Sequence, residues 1–242
     1  MDYTSYYEEK YRSGEEIAKE SKRLALAYVP REGALDILDL GCGTGMNSQY
    51  MSDLGHNVQG IDVAAEAIRK YNERGFQGQV MDVEKGLSFE DESFDLVFST
   101  EVIEHLVQHD VMLQEAYRVL RPGGRLVLST PNSAFWVYRL ASLVGKPVSE
   151  LQHPMHLRFF SQSSLRKVME ETGFEIERSC GHNMYLLLPD PPGPLHSVFR
   201  TFGMQREFRY TNRTHFWHLS HLSSFSNPLF AATLIFVAQK PA

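Results

Sequence analysis

Cysteine is nearly absent from this sequence, with only Cys42 and Cys180 in 242 residues. That excludes a disulfide-stapled scaffold and predicts a fold held by its core in a reducing, cytoplasmic setting. The opening MDYTSYYEEK lacks the basic start and apolar run of an export signal. No apolar run matches the roughly 20 residues of a membrane span. The longest late one, LFAATLIFVA at 229–238, is about half of that, so no transmembrane segment is expected. Basic residues are also outnumbered, 24 Lys and Arg against 30 Asp and Glu for a net charge of −6, which argues against a broad nucleic-acid-binding surface. What remains is an ordinary globular composition, 43% hydrophobic and 22% charged. The length suits one α/β domain with a lid, and small-molecule or lipid-linked partners.

Short runs rich in Val, Ile and Leu alternate with amphipathic stretches of helical length, the pattern of a parallel sheet flanked by helices. Strands are predicted at 36–40, 58–62, 79–82, 94–99 and 124–130. Helical periodicity covers 64–74 and 110–120, with Gly75 and the Pro122–Gly123 pair as stops. A later helix is expected to start at a Ser161 cap and stop at Gly173, followed by a strand at 174–178. The predicted fold class is therefore α/β: a Rossmann-like doubly wound sheet, mostly parallel with an antiparallel last strand at 230–238, and helices on both faces. An aromatic-rich insertion precedes that strand. It spans 181–228 and holds eight aromatics, five histidines, five prolines and no lysine. A substrate lid and a homodimer interface draw on the same residues, and both readings stand. The expected organisation is one domain: an N-terminal helical cap over 1–34, a cofactor-binding core over 35–180, the insertion, and the last strand over 229–242.

The strongest chemical signal is DILDLGCGTG at 36–45, an apolar strand running into Gly41, Gly43 and Gly45. Glycines let the backbone turn with positive φ and approach a ligand, and the following helix start offers free N–H groups. Dinucleotide-binding folds use a similar turn. Asp62 closes the second strand 17 positions after Gly45, where a carboxylate can accept from both ribose hydroxyls. Asp82 closes the third strand and can meet an adenine amino group, and Asp39 beside the turn can face an ammonium.

The ordered set ILDLGCGTG, VQGIDVAAEAI, VMDVEKGLSFEDESFDLVFSTEVIEHL and EAYRVLRPGGRLVLSTPN resembles class I S-adenosylmethionine-dependent methyltransferases, over 35–132 and more weakly to Phe174. EVIEHL and HPMHLRFFSQSSL are similar to a small-molecule branch that includes quinone O-methyltransferases and enzymes encoded among glycan-modifying genes. The resemblance implies S-adenosylmethionine as cofactor, with Asp39, Gly41, Gly43 and Gly45 at its methionine end, Asp62 at the ribose, and Asp82 with Val83 at the adenine. It also implies a contact from Thr100 and an N-terminal helix closing over the cofactor with Tyr7 or Tyr11. The loop after Thr130, PNSAFWVYRLASLVGK, departs from the pattern.

STEVIEHL, 99–106, carries Glu101, Glu104 and His105. If a helix starts at a Thr100 cap, these fall at i, i+3 and i+4 on one face. Three roles are open. The glutamates can simply complement a helix dipole. His105 or His156, assisted by Glu101, can remove a proton from a hydroxyl acceptor. Alternatively Glu101, Glu104, His105 and His156, or His153 in its place, can hold a divalent metal with mixed oxygen and nitrogen ligands. The resemblance implies methyl transfer, and the candidate base and metal cluster favours as acceptor a hydroxyl of a small, lipid-linked or glycan-type molecule. A non-catalytic cofactor-binding partner and an RNA 2′-O-methyltransferase stand as alternatives. A nicotinamide-dependent oxidoreductase is a further one, although this turn reads GCGTG and then Met46 rather than GxGxxG.

Overall fold

A computed structural model describes residues 3–13, 24–182, 184–186, 204–208, 215–219 and 231–242. Its strands are β1 (Asp36–Leu40), β2 (Asn57–Asp62), β3 (Gln77–Val80), β4 (Phe94–Thr100), β5 (Leu120–Pro131), β6 (Glu175–His182) and, after three short strands, β10 (Thr233–Gln239). They form one sheet in the order β3-β2-β1-β4-β5-β10-β6, and only β10 runs antiparallel to its neighbours. Residues β7 (Met184–Leu186), β8 (Met204–Phe208) and β9 (His215–Leu219) make a separate antiparallel sheet with β9 in the middle. The rest of the aromatic insertion lies outside the described residues, as does Phe230 at the expected start of the last strand.

The central strands are apolar at nearly every position because both faces are covered. Successive residues alternate between two cores. Ile37, Leu96, Phe98, Val127 and Ile235 pack on one face. Leu38, Leu40, Val97, Leu126, Leu128 and Phe236 pack on the other, beneath helices α4 (His109–Val119) and α7 (Gln162–Thr172). Two further helices follow the parallel strands, α2 (Met46–Asp53) and α3 (Ala65–Glu73). An N-terminal helix, α1 (Tyr3–Arg12), packs on α3. Helices α5 (Trp136–Leu143) and α6 (Val148–Leu151) occupy the stretch after β5. The expected Ser161 cap is present: its hydroxyl accepts from the Ser164 N–H at 3.2 Å, and Gly173 closes the helix at φ 108°.

Three expectations are corrected. β5 starts at Leu120 rather than at the expected Gly124 and runs through Pro122 and Gly123, although the helix before it ends at Val119, ahead of that pair as expected. Its register with β4 jumps from Leu120 to Arg125, so Pro122 removes no ladder hydrogen bond. β3 lies two residues earlier than expected, at 77–80, which leaves Asp82 beyond the strand as the cap of a short 3₁₀ turn over Val83–Lys85. The third concerns STEVIEHL. Thr100 is the last residue of β4, paired with Ser129, and not a helix cap. Glu101 follows at φ 58°, and only a 3₁₀ turn forms, Ile103–His105. The sheet holds Glu101 in this unfavourable backbone region by a 3.0 Å bond from its N–H to the Ser129 carbonyl.

Candidate active site

In an open α/β sheet, ligands bind beyond the carboxyl ends of the strands where the strand order reverses. Here β2 and β4 flank β1, so the reversal lies between β1 and β4. The glycine turn follows β1 and the Glu101–His105 turn follows β4, placing the two motifs side by side. Their contact is close: a Cβ on Gly41, which has φ 78°, would sit 2.3 Å from Val102 Cγ2. A Cβ on Gly43 would lie 2.8 Å from the Tyr11 hydroxyl. Glycine at both positions is therefore a requirement of space as well as of dihedral angle.

The turn is tied to β2 through Asp62. Its Oδ2 accepts from the Gly43 N–H at 3.0 Å and its Oδ1 from the Ala64 N–H at 2.9 Å. Buried Asp39 accepts from the Ser48 hydroxyl at 2.5 Å, and Ser48 in turn accepts from Tyr71 at 3.0 Å. Burial, reinforced by Asp39, pushes the Tyr71 phenol well above its ordinary pKa, so it stays a donor. Asp82 caps the turn that carries buried Val83 and pairs with Lys85 at 2.9 Å. Thr100 Oγ1 accepts from Asn47 Nδ2 at 3.3 Å. Cys42 packs with Ile68 and Tyr71, as a small apolar residue of the turn. A cradle that admits no Cβ, with carboxylates beyond successive strands, fits a ligand carrying a ribose and an ammonium group.

Helix α1 lies across this region. Glu8 accepts from the backbone N–H groups of Ala65 and Glu66 at the start of α3, the second at 3.2 Å, and Lys70 donates to the Tyr11 carbonyl. Tyr7 and Tyr6 reach the other half of the site.

That half is built from three segments. Glu104 is 1% exposed, and its Oε2 accepts from Thr130 Oγ1 at 3.1 Å. Its backbone carbonyl receives the N–H groups of Leu157 and Arg158 at 2.8 and 2.9 Å, which bolts the HPMHL segment onto the turn. His105 Nδ1 lies 2.9 Å from the Met155 carbonyl. A carbonyl only accepts, so the proton is on Nδ1, and the Nε2 lone pair accepts from the Tyr7 hydroxyl at 3.1 Å. Burial, then Glu104, raises the Tyr7 pKa and keeps that hydroxyl protonated. His156 Nδ1 is 3.0 Å from Gln152 Oε1, which leaves Nε2 facing Glu104. His153 accepts from the Met155 N–H through Nδ1 and donates through Nε2 to Tyr6, 2.9 Å away.

Glu104, His105 and His156 thus converge. Both Nε2 atoms point at Glu104 Oε1, at 3.8 and 4.0 Å, and the three ligand atoms lie within 4.8 Å of one another. Glu101 does not join them; its Oε1 accepts from Ser129 Oγ at 3.4 Å. Gln152, Thr130, the Met155 carbonyl and Tyr6 were not legible as site residues. The only hint was the spacing of Gln152 four residues before His156.

A doubly wound sheet with a glycine turn and acidic strand ends defines a nucleotide-type cofactor-binding fold. Comparison narrows it. The model for a methyltransferase domain matches residues 7–179, and the chain belongs to that family, the class I S-adenosylmethionine-dependent methyltransferases. The mouse mitochondrial ubiquinone biosynthesis O-methyltransferase is 29% identical over 160 residues, which is 61% of this chain and 43% of that protein. The Xanthomonas oryzae (PXO99A) enzyme of the same name is 33% identical over 121 residues, 48% of this chain and 51% of that one. The chain spans about half the length of the curated relatives it matches. Among solved structures, an S-adenosylmethionine-dependent methyltransferase from Archaeoglobus fulgidus aligns with TM-score 0.63 at 19% identity, covering 99% of this chain and all of that one. The Burkholderia thailandensis 1,6-didemethyltoxoflavin-N1-methyltransferase, solved with S-adenosylhomocysteine, aligns with TM-score 0.58 at 16% identity over 99% of this chain and 87% of that one. The nicotinamide reading falls with the family assignment.

Proposed function

We propose that this chain transfers the methyl group of S-adenosylmethionine to a hydroxyl of a small or lipid-linked acceptor, at a site where Glu104, His105 and His156 hold a divalent cation. The observation that carries this is the convergence of two imidazoles, each held as the Nδ1–H tautomer, on one buried carboxylate beside the glycine turn. The donor set fits a metal. With the ligand atoms all within 4.8 Å of one another, small side-chain movements bring the three onto one ion at bonds of about 2.1 Å, and two histidines with one carboxylate leave positions open for a substrate. Gln152 and the Met155 carbonyl hold the far ring nitrogens as outer partners of ligating histidines do.

S-adenosylmethionine, when bound, supplies a methyl group on a positively charged leaving group. A cation held by Glu104, His105 and His156 would supply Lewis-acid activation of the acceptor hydroxyl, lowering its pKa so that its proton passes to solvent. The residues of the chain do the rest. Gly41, Gly43, Asp39 and Asp62 hold the methionine and ribose ends, while Asp82 and Val83 flank the adenine. A bound cation would occupy the His105 Nε2 lone pair in place of the Tyr7 hydroxyl; without one, the Tyr7 hydroxyl marks where an acceptor oxygen would meet that lone pair and hand it its proton. His105 also supplies a base where no cation is present.

The test is transfer of labelled methyl from S-adenosylmethionine into an extract of host metabolites, with and without chelator, separated into small-molecule, lipid, glycan and RNA fractions. Label in the small-molecule or lipid fraction that disappears with chelator is the expected result. Persistence under chelation leaves the His105 base and overturns the cation. Tight cofactor binding with no transfer overturns the reading.

A further inference from the structure

Helix α1 is held on two sides by different chemistry. On the cofactor side Glu8 accepts from the first N–H groups of α3, and Lys70 donates to the Tyr11 carbonyl. On the acceptor side two neighbouring tyrosines each meet an imidazole. Tyr6 accepts from His153 Nε2 at 2.9 Å, and Tyr7 donates to His105 Nε2 at 3.1 Å. The rings also touch edge to face, with centroids 5.1 Å apart for Tyr6 and Tyr7, 5.5 Å for Tyr6 and His153, and 5.6 Å for Tyr7 and His105. Of these two histidines, only His105 belongs to the triad with Glu104 and His156. Its Nδ1 carries a proton against the Met155 carbonyl, so Nε2 offers one lone pair. A ligating imidazole needs its ion at about 2.1 Å along that lone pair, well inside the 3.1 Å at which the Tyr7 oxygen sits. The lone pair can serve the tyrosine or an ion, not both.

We infer that the Tyr7–His105 bond is a cation-operated latch: with the triad empty α1 is clasped over the acceptor half, and a divalent cation on Glu104, His105 and His156 releases that end of the helix. The inference rests on the cation reading above and adds its regulation. Glu8 and Lys70 act on the other side, so Tyr11 keeps its place over the glycine turn, its hydroxyl 2.8 Å from where a Gly43 Cβ would lie. Tyr7 alone gives way. The cofactor then stays covered while the acceptor is admitted only after the cation has bound. Linkage makes the effect reciprocal, so a change that loosens the latch tightens the cation.

The full chain is titrated with Mn²⁺ by calorimetry beside Tyr7→Phe, which keeps the ring and removes only the donor. Both are digested with trypsin at each Mn²⁺ concentration, and a peptide substrate reports on the protease itself. Lys10 and Arg12 place cleavage sites in the last turn of α1. Tyr7→Phe is expected to bind Mn²⁺ about fivefold more tightly, the net contribution of one hydrogen bond. Cutting of the parent at Lys10 and Arg12 quickens as Mn²⁺ is added and levels off where the calorimetric site saturates. Tyr7→Phe starts at the faster rate and stays there, while Glu104→Gln stays at the slow one. Equal or weaker Mn²⁺ binding by Tyr7→Phe, cutting indifferent to Mn²⁺, or equal acceleration in Glu104→Gln overturns the latch and leaves the cation site standing. Failure of the parent and Tyr7→Phe alike to bind Mn²⁺ overturns the cation reading and the latch with it.

Discussion

The two halves of the site are built differently. On the cofactor side, each polar group is placed by residues near it in sequence or on adjacent strands: Asp82 caps its own turn, Ser48 holds Asp39 nine residues away, and Asp62 binds the loop after the neighbouring strand. On the acceptor side, the contacts that join its three segments close long loops. His105 is held by Met155, fifty residues on, and by Tyr7, 98 residues back, while His153 meets Tyr6 across 147. The first half is specified by strand ends and glycine dihedrals. The second exists only when α1, the turn after β4 and the HPMHL segment are docked together, so it is the half that can open.

A methyl group at Gly41 would break the contact between the halves, because it collides with Val102 and the backbone there is left-handed. Gly41→Ala is expected to cost about 3 kcal/mol of stability and to weaken cofactor binding, as read by denaturant unfolding and by calorimetry with S-adenosylmethionine. An equally stable variant would show that the two turns are independent. Glu104→Gln sharpens the comparison by removing charge from the acceptor half alone. Affinity for a divalent cation such as Zn²⁺ or Mn²⁺ should fall by about a hundredfold, about 2.7 kcal/mol, with cofactor affinity intact. Equal losses of both would mean that the halves are one unit. Removing only the hydroxyl that α1 contributes, Tyr7→Phe should lower stability by about 1 kcal/mol and make the segment around Arg12 more susceptible to trypsin, while a protection pattern like that of the parent would show that α1 does not depend on His105.

The smallest effect lies behind the cofactor half. Arg118 holds the Glu115 carboxyl below its ordinary pKa, helped by the Leu87 N–H at 2.6 Å. A depressed carboxylate pKa stabilises the fold above the ordinary value and ceases to do so as pH falls through the folded one. Glu115→Gln is therefore expected to lose less than about 1 kcal/mol at pH 7, given the partly exposed pair, and the gap in Tm should close in acid. A gap that persists below pH 3 would show packing, not charge, at work.

Much of the cofactor half was legible because the residues proposed to hold the cofactor are also those that shape the strand ends and the glycine turn. Alternating burial reads directly as apolar strands, and positive φ reads directly as Gly41 and Gly43. The acceptor half was legible in its residue types, Glu104, His105 and His156, but not in its geometry. The expected helix over STEVIEHL did not form, since pairing of Thr100 with Ser129 carries β4 one residue further and forces Glu101 into the left-handed region. That turn separates Glu101 from Glu104 and His105, where a helix would have grouped them.

By itself, then, the sequence determined the sheet, the glycine cradle and the acidic strand ends, because backbone dihedrals and the two-residue period of a strand act over a few neighbouring positions. Only the tertiary structure decided that His156 faces Glu104, that Tyr7 donates to His105, and that Gln152 and the Met155 carbonyl set the imidazole tautomers. Apart from that of Gln152, four residues from His156, those contacts join segments some fifty to a hundred residues apart, and no local preference encodes a distance that is settled by how helices and loops pack onto a shared core.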